Sequence, residues 1–275
     1  MFSSNVTKGT PPATVRVFHT KEVYFVSALP SDFNSCRVPL ISGVAVRIEF
    51  TVTDRKFFLM SSDPDARFEI TDCEIHCPVA ELTDVMALRT QSHLKASSAL
   101  MNFRRRTVTP FIIPSNSMHY ITETLFPPNV LPCRIVLGFV EENRYTGNLK
   151  LNPYLFSYSL GTTEKPCAIE SVQLKLSGES VDGIDGGDVK LDFLRMFTFN
   201  EMANAAVTNS ITLDAFKGGF YFSFFDLSCS LSSGTVLTNP VIRSGPLRVE
   251  VKFTANIPQN LVCLVYAGKR IYSLL

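Results

Sequence analysis

Tryptophan is missing altogether from the 275 residues, and there are only four histidines. So few imidazoles leave little from which to build a histidine-rich metal centre. Outside one Cys-rich stretch, His19, His93 and His119 are isolated, with no neighbouring Ser or Cys nucleophile in a recognisable local signature. Charge is equally scarce. Charged residues make up 19% of the chain and the formal net charge is +1, so there is no broad basic field for nucleic acid and no acidic one for a basic partner. No apolar run reaches the roughly 20 residues that cross a bilayer. The opening Met1 to Pro12 lacks the uninterrupted apolar segment of a secretory signal, so the expectation is a soluble protein not exported by that route.

What the chain does have is phenylalanine, 22 of them, within a hydrophobic fraction of 45%. That composition belongs to a globular chain with a large core and with apolar surface to share. The seven cysteines are an odd, dispersed set and most sit in apolar, strand-like text, which reads as free buried thiols in a reducing compartment rather than a disulfide framework.

Period-two patterning dominates. Leu247, Val249, Val251 and Phe253 alternate with Arg248, Glu250, Lys252 and Thr254, the signature of a strand with one dry and one wet face. After the polar stretch 256–260, Leu261 to Tyr266 is apolar throughout, as in a strand covered on both faces, and the two read as a closing hairpin. Further strands are expected at Val15–Phe18, Val23–Val26, Val38–Thr53, Phe68–Val79, Thr107–Ile113, Arg134–Val140, Ser171–Leu176 and Gly219–Leu227. One helix is expected over Glu81–Ser97, with Leu82, Val85, Met86 and Leu94 near one face. The fold class is therefore all-β: an antiparallel jelly-roll sandwich. Residues 1–14 form an arm, 15–80 the trailing strands of a partial first roll, 81–99 a linking helix and 100–275 a complete second roll.

Chemistry-bearing clusters are few. On a strand, Cys73 and Cys77 share a face while His76 points away, so Cys73-Glu74-Ile75-His76-Cys77 reads as core strand rather than a metal site. The loop Asp182–Asp188 carries three carboxylates but lacks the spacing and closing Glu of a calcium loop. No catalytic group, metal or cofactor is expected, and the chain reads as a non-enzyme. Arg104-Arg105-Arg106 is the sharpest charge cluster, a weak candidate for nucleic-acid contact beside the plainer reading of a solvated strand start or an intersubunit ion pair. Phe216, Phe220, Tyr221, Phe222, Phe224 and Phe225 are candidates for a subunit interface, shared with the sandwich core according to strand face.

Four phrases carry a family resemblance in one order. They are Pro39-Leu40-Ile41-Ser42-Gly43-Val44 through Phe58-Leu59-Met60-Ser61; Leu131 to Val140 with Tyr145-Thr146-Gly147 and Asn152 to Phe156; Leu213 to Gly219 with Phe225-Asp226-Leu227; and Gly245 to Tyr266. In this order the chain resembles the double jelly-roll major capsid proteins of Polinton (Maverick) elements and adintoviruses, over most of residues 20–267. The resemblance implies a structural subunit of a virion or virus-like transposon capsid, made in the host cytoplasm and assembled there or in the nucleus. Its implied partners are itself, as a homotrimer, other capsid proteins and, weakly, packaged DNA, with no membrane. Much of the family's first roll precedes the part matching Val15, and the family's acidic ending is replaced here by Ala267-Gly268-Lys269-Arg270. A jelly-roll carbohydrate- or receptor-binding module is the alternative, with its site on the loops at 141–153 and 178–190.

Overall fold

The structure is a computed structural model. It describes residues 24, 26, 45–54, 57, 69–76, 79–97, 100–127, 131–147, 151–152, 155, 169–181, 188–199, 212–217, 219–227 and 244–274. In chain order the elements are helix α1 (Asp84–Ala96), β1 (Leu100–Ile113), β2 (His119–Ile121), β3 (Arg134–Glu141), α2 (Glu142–Tyr145), β4 (Ile169–Leu176), β5 (Glu179–Ser180), α3 (Val189–Phe199), α4 (Leu213–Lys217), β6 (Phe222–Asp226), β7 (Leu247–Phe253) and β8 (Leu261–Leu274).

The strands form two four-stranded antiparallel sheets, ordered β1-β8-β3-β6 and β2-β7-β4-β5. Pairing is nested: the first strand lies beside the eighth, the second beside the seventh, the third beside the sixth and the fourth beside the fifth. The pair β4–β5 is the innermost and turns through Ser177 and Gly178, both at positive φ. The eight strands described from Leu100 onward thus pair from the outside in, across two facing sheets.

Alternation explains which side of each strand faces inward. Leu247, Val249, Val251 and Phe253 of β7 are fully buried, opposite Ile135, Leu137 and Phe139 of β3 and Leu261, Cys263 and Val265 of β8 in a single cluster. Withdrawing each such side chain from water stabilises the fold by about 1.5–3 kcal/mol. Hydrogen-bonded partners on both sides of β8 and β3 satisfy their backbones, which is why these two strands tolerate an almost wholly apolar sequence.

Several expectations need correction. Strands β7 and β8 do not form a hairpin, because they belong to different sheets. The connection between them arches over one end of the sandwich, anchored by the fully buried Ile257, whose N–H and C=O bond to Ser117 and Asn116. Strand β1 starts at Leu100 rather than Thr107, and β8 runs on to Leu274. Helices α2, α3 and α4 add to the one helix expected. Helix α3 is set by Asp188, whose Oδ1 accepts the N–H groups of Lys190 and Leu191.

Helix α1 falls where expected but buries none of its residues; Val85, Met86 and Leu88 are more than half exposed. Of the strands expected over 15–80, the described residues join no β-ladder, and Val46, Ile48, Phe50 and Val52 keep their apolar side chains in solvent. A period-two pattern needs a facing strand to become a sheet, and none stands opposite them among the described residues. No helix there is long and apolar enough to cross a membrane.

Gly245 sits at φ 143°, and a Cβ on it would lie 2.3 Å from Ser177 Oγ. Gly245→Ala should therefore cost about 1–3 kcal/mol, read as a lower Tm in thermal melts.

Candidate functional site

Buried polar groups are the natural place to look for chemistry; besides Glu141, 7% exposed and paired with Arg144 at 3.0 Å, two clusters among the described residues gather several partners on one carboxylate. The first lies on the solvent side of the β2-β7-β4 sheet. Cross-strand register brings His119 opposite Lys252 and Lys175 opposite Arg248, leaving Glu250 amid four basic residues. Its carboxylate is 5% exposed, accepts from His119 Nε2 at 2.7 Å, pairs with Lys175 Nζ and has Lys252 Nζ at 3.9 Å. The hydrogen bond from Lys175 holds the Glu250 carboxyl below its usual pKa of 4.5, against the opposing effect of burial.

The second cluster is fully internal. Asp192 of α3, at 0% exposure, accepts from Tyr221 Oη at 2.6 Å, from Ser223 Oγ at 3.4 Å and from Arg195 at 3.1 Å. Tyr221 and Ser223 belong to the β6 segment at a sheet margin, so the carboxylate fastens α3 to β6. Charge-assisted bonds of this kind are about twice as strong as neutral ones, and they also satisfy a group that would otherwise be costly to bury. Neither cluster presents a nucleophile with a base in a cleft. The described residues gather no group of three or more His, Cys, Asp or Glu able to hold a metal ion. A shallow depression beside the β4–β5 turn is lined by Leu176, Ser177, Glu179, Ser180, Val181 and Ser244.

No protein-family model matches the sequence, and no curated protein does. Among solved structures the chain is similar to the major capsid protein P2 from Bacteriophage PM2. The likeness is 12% in identity with a TM-score of 0.29, and it covers 62% of this chain and 45% of that one. The chain thus spans less than half the length of the solved chain it matches.

The residues singled out in the sequence are distributed as follows. Phe216, Tyr221, Phe224 and Phe225 are at most 5% exposed, and Phe216 stacks edge-on against both Phe193 and Tyr221. These four fall in the core share of the expected division between core and interface; Phe220 and Phe222 are half-buried. Arg104, Arg105 and Arg106 lie within β1 rather than at its start, because β8 extends far enough to pair with them. Cys73 and His76 are exposed in an unpaired segment, so the core-strand reading of that motif fails, while Cys77 lies outside the described residues. Cys133 and Cys263 are buried thiols outside any disulfide, as expected; Cys133 Sγ donates to the Gly268 carbonyl at 2.9 Å, and burial pushes the Cys263 thiol well up. The loop 182–187, His19, and Cys36, Cys167 and Cys229 lie outside the described residues.

Two buried carboxylates that tie elements together escaped sequence reading. Glu250 occupies a wet position in the alternation, and only the pairing of β2 and β4 with β7 supplies its partners. Asp192 sits in an apolar stretch, where a lone acid four residues after a capping Asp was the available signal.

Tyr221→Phe should lower stability by about 1–3 kcal/mol in urea titrations, since it strips a donor from a buried carboxylate. For Glu250 the sign follows from its depressed pKa. The unfolded chain takes up the proton first as pH falls, so stability present at neutral pH is lost below about pH 4.5. Glu250→Gln should be less stable than the parent at pH 7 and should lack that acid slope, as Tm measured against pH will report.

Proposed function

We propose that this chain is a structural capsid subunit that associates with copies of itself, as trimers, and carries out no reaction. The observation that carries the proposal is the nested pairing of eight strands in two four-stranded sheets, ordered β1-β8-β3-β6 and β2-β7-β4-β5. A jelly roll distributes eight strands over two sheets through paired Greek keys, and this order supports that reading of the sandwich. Three of the four phrases shared with Polinton and adintovirus capsid proteins fall on its elements: residues 131–140 around β3, 213–227 on α4 and β6, and 245–266 on β7 and the start of β8.

Surface chemistry supports the same reading. Val108 and Ile112 of β1 are 59% and 52% exposed, and both lie on the outward face of their sheet. Met118 at 52% and Ile121 at 46% add apolar area on the other sheet's side. Exposed apolar area of this kind favours association, and closed symmetry repeats each modest contact many times. In this role the chain works in the virion beside other capsid proteins, with Arg104, Arg105 and Arg106 assigned to contact with packaged DNA.

Sedimentation velocity across a concentration series, with negative-stain microscopy, tests the proposal. Trimers and larger assemblies are expected, and Val108→Glu/Ile112→Lys should shift them toward monomer while leaving Tm within about 4 °C, because surface substitutions alter folding little. A well-folded species that stays monomeric at every concentration overturns the proposal. If that monomer also binds a glycan saturably, the binding-module reading replaces it.

A further inference from the structure

The sheet containing β1 and β8 does not end where its other strands end. Strand β3 pairs with β8 only from Leu261 to Gly268, whereas β1 follows β8 all the way to Leu274. A two-stranded ribbon, residues 100–105 against 269–274, therefore leaves the four-stranded sheet. Its register concentrates one sign of charge: Arg104 stands opposite Arg270, Arg105 opposite Lys269, and Arg106 opposite Gly268. No acidic residue occurs in 100–106 or 268–274. Like charges placed directly across an antiparallel pair oppose that pairing, so a bound polyanion would relieve a conflict built into the ribbon.

We propose that this ribbon binds the phosphate backbone of nucleic acid. Three of its four basic residues are arginines, the residue type whose planar fork pairs bidentately with phosphate. Arg104 and Arg106 are two residues apart on a strand, about 6.8 Å, which is twice the roughly 3.4 Å advance per phosphate along one strand of duplex DNA. Register puts Arg104, Arg106 and Arg270 on one face and Arg105 and Lys269 on the other. Basic residues on both faces suit an element inserted into a groove, and the major groove, about 12 Å wide, admits a two-stranded ribbon. Phe103 and Tyr272 lie in the same ribbon, the residue types on which unpaired bases stack. The inference rests on the capsid reading only for which nucleic acid the ribbon meets.

Fluorescence anisotropy of a labelled duplex of about 25 base pairs, and of one of its strands, titrated with the full chain at about 50 and 200 mM salt, tests the inference. Sequence-independent binding that weakens at least about tenfold between the two salts is expected. The variant Arg104→Gln/Arg105→Gln/Lys269→Gln/Arg270→Gln should bind about tenfold or more weakly at low salt, with its salt slope shallower by about 3. Its Tm at low salt should not fall, since the opposed charges are gone. If that variant does not fold, Lys269→Gln/Arg270→Gln should show the same changes at about half the slope effect. Unchanged affinity and slope in the variants, or no binding to either DNA, overturns the inference. Preference for polyglutamate over DNA also overturns it, in favour of an acidic protein partner. A chain that binds DNA through the ribbon but never assembles would sink the capsid reading and leave the ribbon standing.

Discussion

The sandwich leans on the hydrogen bonding of β8 to β1 along one side and to β3 along the other. That double pairing satisfies the backbone of a strand whose first six residues, Leu261 to Tyr266, are all apolar, a run that an exposed sheet margin would carry only at the risk of aggregation. With β8 fixed, its alternate residues Leu261, Cys263, Val265 and Ala267 become the floor on which Leu247, Val249, Val251 and Phe253 of the opposite sheet rest. The arch through Ile257 then sets how the two sheets meet at that end. Asn260 reinforces it, accepting from the Ser115 N–H and donating to Glu142.

Polar interactions add definition where apolar packing is permissive. The Asp192 carboxylate, tied to Tyr221, Ser223 and Arg195, gives α3 one position against β6, a sheet margin that would otherwise be open to pairing. Glu250 does the corresponding work on the far sheet. A single carboxylate reconciles basic residues that register forces together, with Lys175 and His119 donating to it directly. Both acids are structural, and both hold elements that are distant in sequence. Gly268 contributes by size: a Cβ there would meet Arg134 Cγ at 3.0 Å, so the missing side chain leaves room for Arg134 to lie across β8.

Sequence periodicity identified strand faces well and strand partners poorly. The alternation from Leu247 to Phe253 marks the right inward set, and the unbroken apolar run after Leu261, expected to be covered on both faces, is buried at Leu261, Val262, Cys263 and Val265 and half-buried at Leu264 and Tyr266. Neither pattern carries information about which sheet a strand joins, so adjacency in sequence was mistaken for a hairpin. Helix α3 was hidden because Val189–Phe199 is apolar on most sides and reads as readily as strand. The aromatic run around Phe224 reads as shared between core and surface, and the core takes Phe216, Tyr221, Phe224 and Phe225. The basic residues of the ribbon stand out in the sequence, but their pairing does not. Arg104 and Arg270 lie far apart in the chain, and only register makes them neighbours.

The nesting of first strand with eighth has a bearing on how the protein is made. A ribosome releases β1 long before it has threaded β8, and β3 likewise waits for the same late partner. Through that interval two apolar strands stand with unfilled backbone donors and acceptors, and long-range pairing of this kind closes slowly. The nascent chain is thereby exposed to premature contact with its own siblings emerging from the same message, the very molecules it is later proposed to meet in order. Holding chaperones, or a slow rate of synthesis relative to dilution, would separate these two kinds of encounter in time.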